Sequence, residues 1–319
     1  MAESVSVVIP VFEEEESLPH LYGSLKKVLD GLKRPYEIVF VDDGSRDNSM
    51  KVLEAMQGKD PNVVVVSFRR NFGQTAAMAA GFDYSKGDIV ITMDADMQND
   101  PADIPLLLDK IKDHDVVSGW RKERKDPFFT RRLPSMIANG LISAVTGVKL
   151  HDYGCTLKAY RREVVENIKL YGEMHRFIPA IASWVGARIT EAETRHHPRR
   201  YGRSKYGISR TIRVILDLIT VKFLQSFSTR PIHAFGPPGL LMGAGGFLIS
   251  LYLTYEKLAL GHSLEGRPLL LLAVLLMILG VQLIVMGLLG EMLARVYHES
   301  QGKPIFVVKK VLGRPAGGR

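Results

Sequence analysis

Tyr36-Glu-Ile-Val-Phe-Val-Asp42-Asp43-Gly44-Ser45 and Asp88-Ile-Val-Ile-Thr-Met-Asp94-Ala95-Asp96-Met97-Gln98 share one plan: an apolar strand runs straight into a cluster of carboxylates. In an open α/β sheet, ligands bind beyond the carboxyl ends of the strands. Two acidic clusters at such ends describe a crevice for a hard cation and for whatever that cation clamps. A diphosphate is the usual companion, because Mg²⁺ takes one or two protein carboxylates and leaves its other positions to phosphate oxygens. Asp-Gly and Asp-Ala are also ordinary turn residues, and either cluster alone reads as well that way. Their occurrence together in one domain favours the cation crevice.

Working outward from these stretches, strands and helices alternate. Val5–Ile9 is a short apolar strand ending at Pro10. Ser17 to Leu32 places Leu18, Leu21, Leu25, Val28, Leu29 and Leu32 on one helical face, with Ser17 as N-cap. Strands are expected at Glu37–Val41, Val63–Phe68, Ile89–Met93 and Val116–Gly119. Helices are expected at 45–57, 74–85 and 105–112. Such alternation implies an α/β fold with a mostly parallel sheet covered on both faces.

The chain has 319 residues, a net charge of +8 and one cysteine, Cys155, which leaves no internal disulfide and no cysteine-based zinc site. Met1-Ala-Glu-Ser is acidic and leads directly into a strand, so no signal peptide is expected. The positive charge is concentrated. From Arg199 to Arg230, Arg199, Arg200, Arg203, Lys205, Arg210, Arg213, Lys222 and Arg230 face a single acid, Asp217. That stretch precedes the most apolar part of the chain, which points to anionic lipid heads rather than nucleic acid.

Phe235 to Tyr255 and Leu269 to Gly290 contain no charged residue, and about 20 residues suffice for a helix to cross a bilayer core. The loop between them holds Lys257 and Arg267 as its only full cations. Residues 291–319 hold Arg295, Lys303, Lys309, Lys310, Arg314 and Arg319. The positive-inside rule puts both flanks in the cytoplasm. From Gly207 to His233, Ile208, Ile212, Ile215, Leu216, Ile219 and Phe223 recur at helical spacing among basic residues, the pattern of a helix lying in the membrane interface. Pro237-Pro238 is expected to mark the start of the first span. The organisation read from sequence is a catalytic domain at 1–206, interfacial helices at 207–233, a transmembrane hairpin at 234–290 and a cytoplasmic tail at 291–319.

With these residues in view, the chain resembles family 2 glycosyltransferases. The resemblance rests on Val7-Val8-Ile9-Pro10-Val11-Phe12-Glu13-Glu14, on Val41-Asp42-Asp43-Gly44-Ser45 and on Asp94-Ala95-Asp96-Met97-Gln98. More narrowly, it resembles polyprenyl-phosphate glycosyltransferases of the dolichol-phosphate-mannose synthase type. The segment from Asp152 to Arg162, Asp-Tyr-Gly-Cys-Thr-Leu-Lys-Ala-Tyr-Arg-Arg, is similar to the bacterial undecaprenyl-phosphate branch. The similarity spans nearly the whole chain and includes the hairpin. Glu13 departs from it, since the family commonly has Asn there.

The resemblance implies a GT-A fold and an inverting transfer from a UDP- or GDP-sugar to polyprenyl phosphate at the inner membrane. It implies that Pro10, Phe12, Glu14, Val41, Asp43 and Ala95 line the nucleotide-sugar pocket. Asp94, Asp96 and Gln98 would hold Mg²⁺ or Mn²⁺, and Arg121, Arg199 and Lys205 would contact phosphates. Asp152 would act as a base or only position groups. The chemistry agrees: a departing nucleoside diphosphate is a polyanion and needs cations where its charge grows. A homo-oligomer is compatible with this reading.

Two other readings stay open at this stage. A processive polysaccharide synthase would carry a Gln-x-x-Arg-Trp element, and neither Trp120 nor Trp184 follows one. A non-catalytic sugar-nucleotide sensor would not need Asp43, Asp94, Asp96, Arg199 and Lys205 together. The Trp120–Leu133 run, with Arg121, Lys122, Arg124, Lys125, Arg131 and Arg132, suits an anionic head group or a solvated loop equally.

Overall fold

The computed structural model describes residues 3–122, 133–168, 170, 174–198, 232–300 and 305–313. The elements are β1 (Val5–Val11), α1 (Leu18–Gly31), β2 (Tyr36–Asp42), α2 (Ser49–Gln57), β3 (Val63–Phe68), α3 (Gln74–Tyr84), β4 (Ile89–Thr92) and α4 (Ile104–Lys110). They continue with β5 (Val116–Trp120), α5 (Leu133–Thr146), β6 (Lys158–Arg161), α6 (Arg162–Asn167), α7 (Ile178–Trp184) and β7 (Ile189–Glu193). Two long helices, α8 (Ile232–Leu260) and α9 (Pro268–Ser300), precede β8 (Val308–Leu312).

The strands form one sheet in the order β7-β5-β6-β4-β1-β2-β3-β8. All neighbours are parallel except β6, which runs against β4 and β5, and β8, which runs against β3. Alternation along β1 assigns its two faces. Val5, Val7 and Ile9 join Leu18, Leu21, Leu25 and Leu29 of α1, with Leu53 of α2 and Leu107 of α4, in one core. Each such leucine contributes about 1.5–3 kcal/mol by leaving water. Val8 points the other way and meets α3 at Gly81, where a Cβ would collide with the valine methyl. The sheet is thus covered on both faces, as its continuous apolar strands require.

After β3 the chain leaves the β1-β2-β3 progression and returns to the opposite side of β1 as β4. This reversal of strand order is a topological switch point, where open α/β sheets bind ligands. The acidic residues after β4 and β2 lie on either side of the end of β1.

Some elements differ from the sequence expectation. Helix α2 begins at Ser49 rather than residue 45, because residues 45–48 are spent on a turn. In that turn Glu13 N–H donates to Ser45 Oγ, Ser45 N–H to Asp42 and Glu15 N–H to Asp47. Pro237 and Pro238 lie inside α8 rather than at its start. Residues 291–319 do not form only a tail, since α9 runs to Ser300 and β8 adds an edge strand to the sheet. The expected interfacial helices at 207–233 lie almost wholly outside the described residues, α8 taking up the chain at Ile232.

The chain divides into two units, Met1–Val221 with Pro304–Arg319, and Lys222–Lys303. In the second, Ala234–Leu260 and Pro268–Gly290 are long and apolar enough to cross a membrane. The two helices approach through small residues. A Cβ on Gly239 would meet the Gly280 carbonyl at 2.8 Å, and one on Gly246 would meet the Ala273 carbonyl at 2.6 Å. Small residues at contacts are how apolar helices pack when lipid removes the hydrophobic drive between them. Leu240, Leu241, Phe247, Leu271 and Val281 remain exposed around the pair.

Candidate active site

Asp94 and Asp96 follow β4 at the switch point. Asp96 is buried and its Oδ1 accepts from Gln98 N–H at 3.1 Å, while Asp94 Oδ1 accepts from the Gln74 amide at 2.9 Å. Burial, and then the nearby Asp96 charge, push the Asp94 carboxyl up to about 6. Met97, between Asp96 and Gln98, takes φ +59, a left-handed conformation that costs a non-glycine residue about 1–3 kcal/mol. Strain of this kind persists where surrounding structure imposes it. Ala95, between the two in sequence, is buried in the core.

The antiparallel β6 explains why Asp152 comes here. With Thr92 opposite Lys158 in register, the segment ahead of β6 returns to the carboxyl ends of β4 and β5. Asp152 is 3% exposed and grips Arg121, the residue after β5, through two bonds: Nε at 2.7 Å and Nη2 at 3.0 Å. Burial works against the Arg121 charge, but the Asp152 hydrogen bonds and charge outweigh it and hold the guanidinium protonated. Glu191 of β7 in turn accepts from His151 N–H at 2.8 Å.

On the β2 side, Asp43 is buried and its two oxygens accept from Phe72 N–H at 2.7 Å and Gly73 N–H at 2.9 Å. Burial raises its pKa, and the two amides lower it in part. Gly44 makes this closure possible: it sits at φ +71, and a Cβ there would lie 2.5 Å from the Arg70 carbonyl carbon. Val41 is buried in β2, Pro10 is half-buried one residue before the end of β1, and Phe12 follows that strand. Glu14 accepts from Ser17 Oγ at 2.8 Å. Glu13 adopts φ +54, the left-handed region in which Asn is favoured, so the departure noted in sequence falls at a position with a backbone preference for Asn.

Arg199 and Lys205 lie outside the described residues. The segment leading to them does not. His197 N–H donates to the Gln98 carbonyl at 2.9 Å, and Arg195 pairs with Asp103 at 2.8 Å. The structure therefore gathers Asp94, Asp96, Gln98, Arg121 and Asp152 at one edge, with Asp43 across the end of β1.

Sequence reasoning missed Lys158 and Gln74. Lys158 is 3% exposed in β6, and its ammonium donates to the Tyr153 and Cys155 carbonyls. Burial lowers its pKa, against the raising pull of Cys155, Asp152 and Asp94. A mid-strand lysine carries no local sign of such burial. An open depression of about 610 Å³ adjoins the site along β7, lined by Lys110, Trp120, Lys149, His151, Glu191 and Glu193. Both its carboxylates are engaged, Glu191 with His151 of the lining and Glu193 with Lys122 outside it, so the cation crevice is the better centre for chemistry.

Among the described residues no group of three or more His, Cys, Asp or Glu is placed to hold a metal. Two carboxylates and an amide suffice for Mg²⁺ or Mn²⁺ when substrate phosphates complete the shell. Burial first, and the Asp96 charge second, disfavour the ionised Asp94 carboxylate, and a cation beside it would offset both, so the donor set fits.

Residues 6–169 match the model of glycosyl transferase family 2. The chain belongs to this family. It is 45% identical over 312 residues, covering 96% of this chain and 92% of that protein, to dodecaprenyl-phosphate galacturonate synthase of Rhizobium johnstonii. It is 43% identical over 311 residues, 97% of this chain and 90% of that protein, to undecaprenyl-phosphate 4-deoxy-4-formamido-L-arabinose transferase of Pseudomonas aeruginosa. In fold, glucosyl-3-phosphoglycerate synthase of Mycobacterium tuberculosis, solved with Mn²⁺ and UDP-glucose, matches with a TM-score of 0.54 at 17% identity. That match covers 70% of this chain and 79% of that one. The chain is a glycosyltransferase with the GT-A fold.

Proposed function

We propose that this glycosyltransferase moves one sugar from a nucleoside diphosphate, UDP or GDP, to a polyprenyl phosphate, with inversion at the sugar. The observation that carries the reading is the meeting of Asp94, Asp96 and Arg121–Asp152 at the switch point, in a chain whose relatives are named for transfer to dodecaprenyl and undecaprenyl phosphate. A phosphate oxygen of the acceptor attacks the anomeric carbon, and the bond to the donor's β-phosphate breaks with its electron pair leaving on the nucleoside diphosphate. A phosphomonoester has its second pKa at about 6, so it is mostly dianionic at pH 7 and no proton must be lifted. Asp152, held by Arg121 in two bonds, is better placed to orient that cation than to act as a base.

Asp94, Asp96 and Gln98 would hold Mg²⁺ or Mn²⁺, which neutralises diphosphate charge when bound. Asp43, Glu14, Phe12 and Pro10 would form the nucleoside end of the pocket. Arg199 and Lys205 would add cations, a reading supported by the tether from His197 to Gln98. The apolar hairpin would hold the site at the head-group layer, which the acceptor phosphate does not leave. Two spans would bring both ends of the hairpin to one side of the membrane, a reading supported by β8, which follows the second span and pairs with β3 of the catalytic sheet. Charge asymmetry makes that side cytoplasmic, in the inner membrane, with anionic lipids facing the basic 199–230 stretch.

The test is metal dependence. Asp94→Asn and Asp96→Asn each keep side-chain size and remove a charge, so each should abolish divalent-dependent transfer while the protein still folds. Wild-type rates in both variants, or turnover persisting in excess chelator, would refute the assignment.

A further inference from the structure

The loop that Asp43 holds is also held from behind. Arg69–Gly73 follows β3, and Arg69 N–H donates to the Val307 carbonyl at 3.1 Å. Phe306, 6% exposed, stacks on Phe68 with centroids 5.1 Å apart and planes at 14°. Phe68 meets Phe72 edge-on at 5.7 Å. Phe72 then gives its N–H to Asp43, and its ring lies under the Arg70 guanidinium at 4.2 Å. An unbroken path runs from Phe306 through two aromatic rings to the amide that fixes the Asp43 carboxylate.

Phe306 and Val307 lie outside the β3–β8 ladder, which pairs Val308–Leu312 with Val65–Phe68. Covering the exposed edge of β3 requires only that ladder. The two residues ahead of it face the donor loop instead. We propose that Phe306 and Val307 are positioning residues for the nucleotide donor: the strap after the hairpin sets the Arg69–Gly73 loop and so the geometry of Asp43. The proposal rests on the assignment of Asp43 to the donor pocket. It makes donor affinity depend on a segment that follows both apolar spans in the chain, although that segment carries none of the metal or phosphate residues.

The experiment titrates UDP and GDP with Mg²⁺ into full-length protein in detergent, by calorimetry, for wild type, Phe306→Ala, Phe306→Leu and Lys310→Ala. Removing the stacked ring in Phe306→Ala should weaken nucleotide binding about three- to tenfold. The leucine variant keeps most of the volume and should recover part of that affinity. Lys310, whose side chain pairs with Glu54 on the outside of the strap, should bind as wild type does when replaced. At saturating donor, kcat in Phe306→Ala should stay within about twofold of wild type, because the strap touches no reacting group. Lower melting temperature in Phe306→Ala and Phe306→Leu with an unchanged Kd would overturn the proposal and reduce the strap to an edge cover. Failure of wild type to bind either nucleotide would instead overturn the donor-site reading beneath it.

Discussion

Asp152→Asn separates the two roles open to this carboxylate. The substitution keeps the shape and removes one charge from a pair whose side chains are 14% and 3% exposed. Breaking a buried pair from one side costs about 3–5 kcal/mol, because the partner is left charged and uncompensated. The partial exposure of Arg121 puts the expectation at the lower end, about 3 kcal/mol of unfolding free energy. Arg121→Met removes the stranded charge, so the double variant should be less destabilised than the sum of the singles by at least about 1 kcal/mol. Denaturant unfolding in detergent reads both quantities. Turnover should fall about ten- to a hundredfold, as expected when a well-aimed charged interaction is removed. The pH at which the rate falls by half should stay near the second phosphate pKa of about 6. A midpoint that moves with the substitution would make Asp152 the base. Strictly additive energies would refute the pairing argument.

Three further outcomes are expected, two from the geometry and one from the proposed role of Lys205. Gly44→Ala should cost about 2 kcal/mol or more and weaken nucleotide binding, while Gly58→Ala, at φ −63, should be neutral or stabilising in the same melting assay. In metal-free protein, the Asp94 carboxyl at about 6 lies above its unfolded value, so the folded state holds the extra proton and stability falls as pH rises from about 4 to 6. Asp94→Asn should remove that fall and gain ~1–2 kcal/mol at pH 7, the half-buried position limiting the effect, and denaturation at pH 4, 5, 6 and 7 reads it. Lys205→Ala should slow turnover at least about tenfold if it meets a phosphate, whereas Lys309→Ala removes the same charge from an exposed site and should do little.

The central strands were readable because each is a continuous apolar run closed by a turn residue. Val63–Phe68 matches its sequence reading, β1, β4 and β5 differ from theirs by one or two residues at the C-terminal end, and β2 is longer by one residue at each end. The same logic exposed Asp43, Asp94 and Asp96, since position at a strand end is itself a local signal. β6 and β7 were not legible. Lys158-Ala-Tyr-Arg161 is short and antiparallel, with its lysine buried by distant loops, and Ile-Thr-Glu-Ala-Glu is an edge strand with a polar sequence. β8 carries Lys309 and Lys310 in a basic tail and becomes a strand only because β3 offers it an open edge. The Arg121–Asp152 pair depends on β6 reversing direction, which no local pattern records. α5 carries no charged residue along its 14 positions, with Met136 and Leu141 exposed, and it follows the basic run to Arg132. Sequence reading stopped at that run and passed over the helix.

The most direct measurement is the product itself. Purified full-length protein would be incubated with undecaprenyl phosphate, Mg²⁺ or Mn²⁺, and a panel of UDP- and GDP-sugars, with the lipid fraction read by mass spectrometry. One donor should add one sugar mass to the lipid phosphate, and chelator or Asp94→Asn should abolish the addition. Donor consumed to free sugar and nucleotide with the lipid unchanged, or sugar added repeatedly to form a polymer, would contradict it.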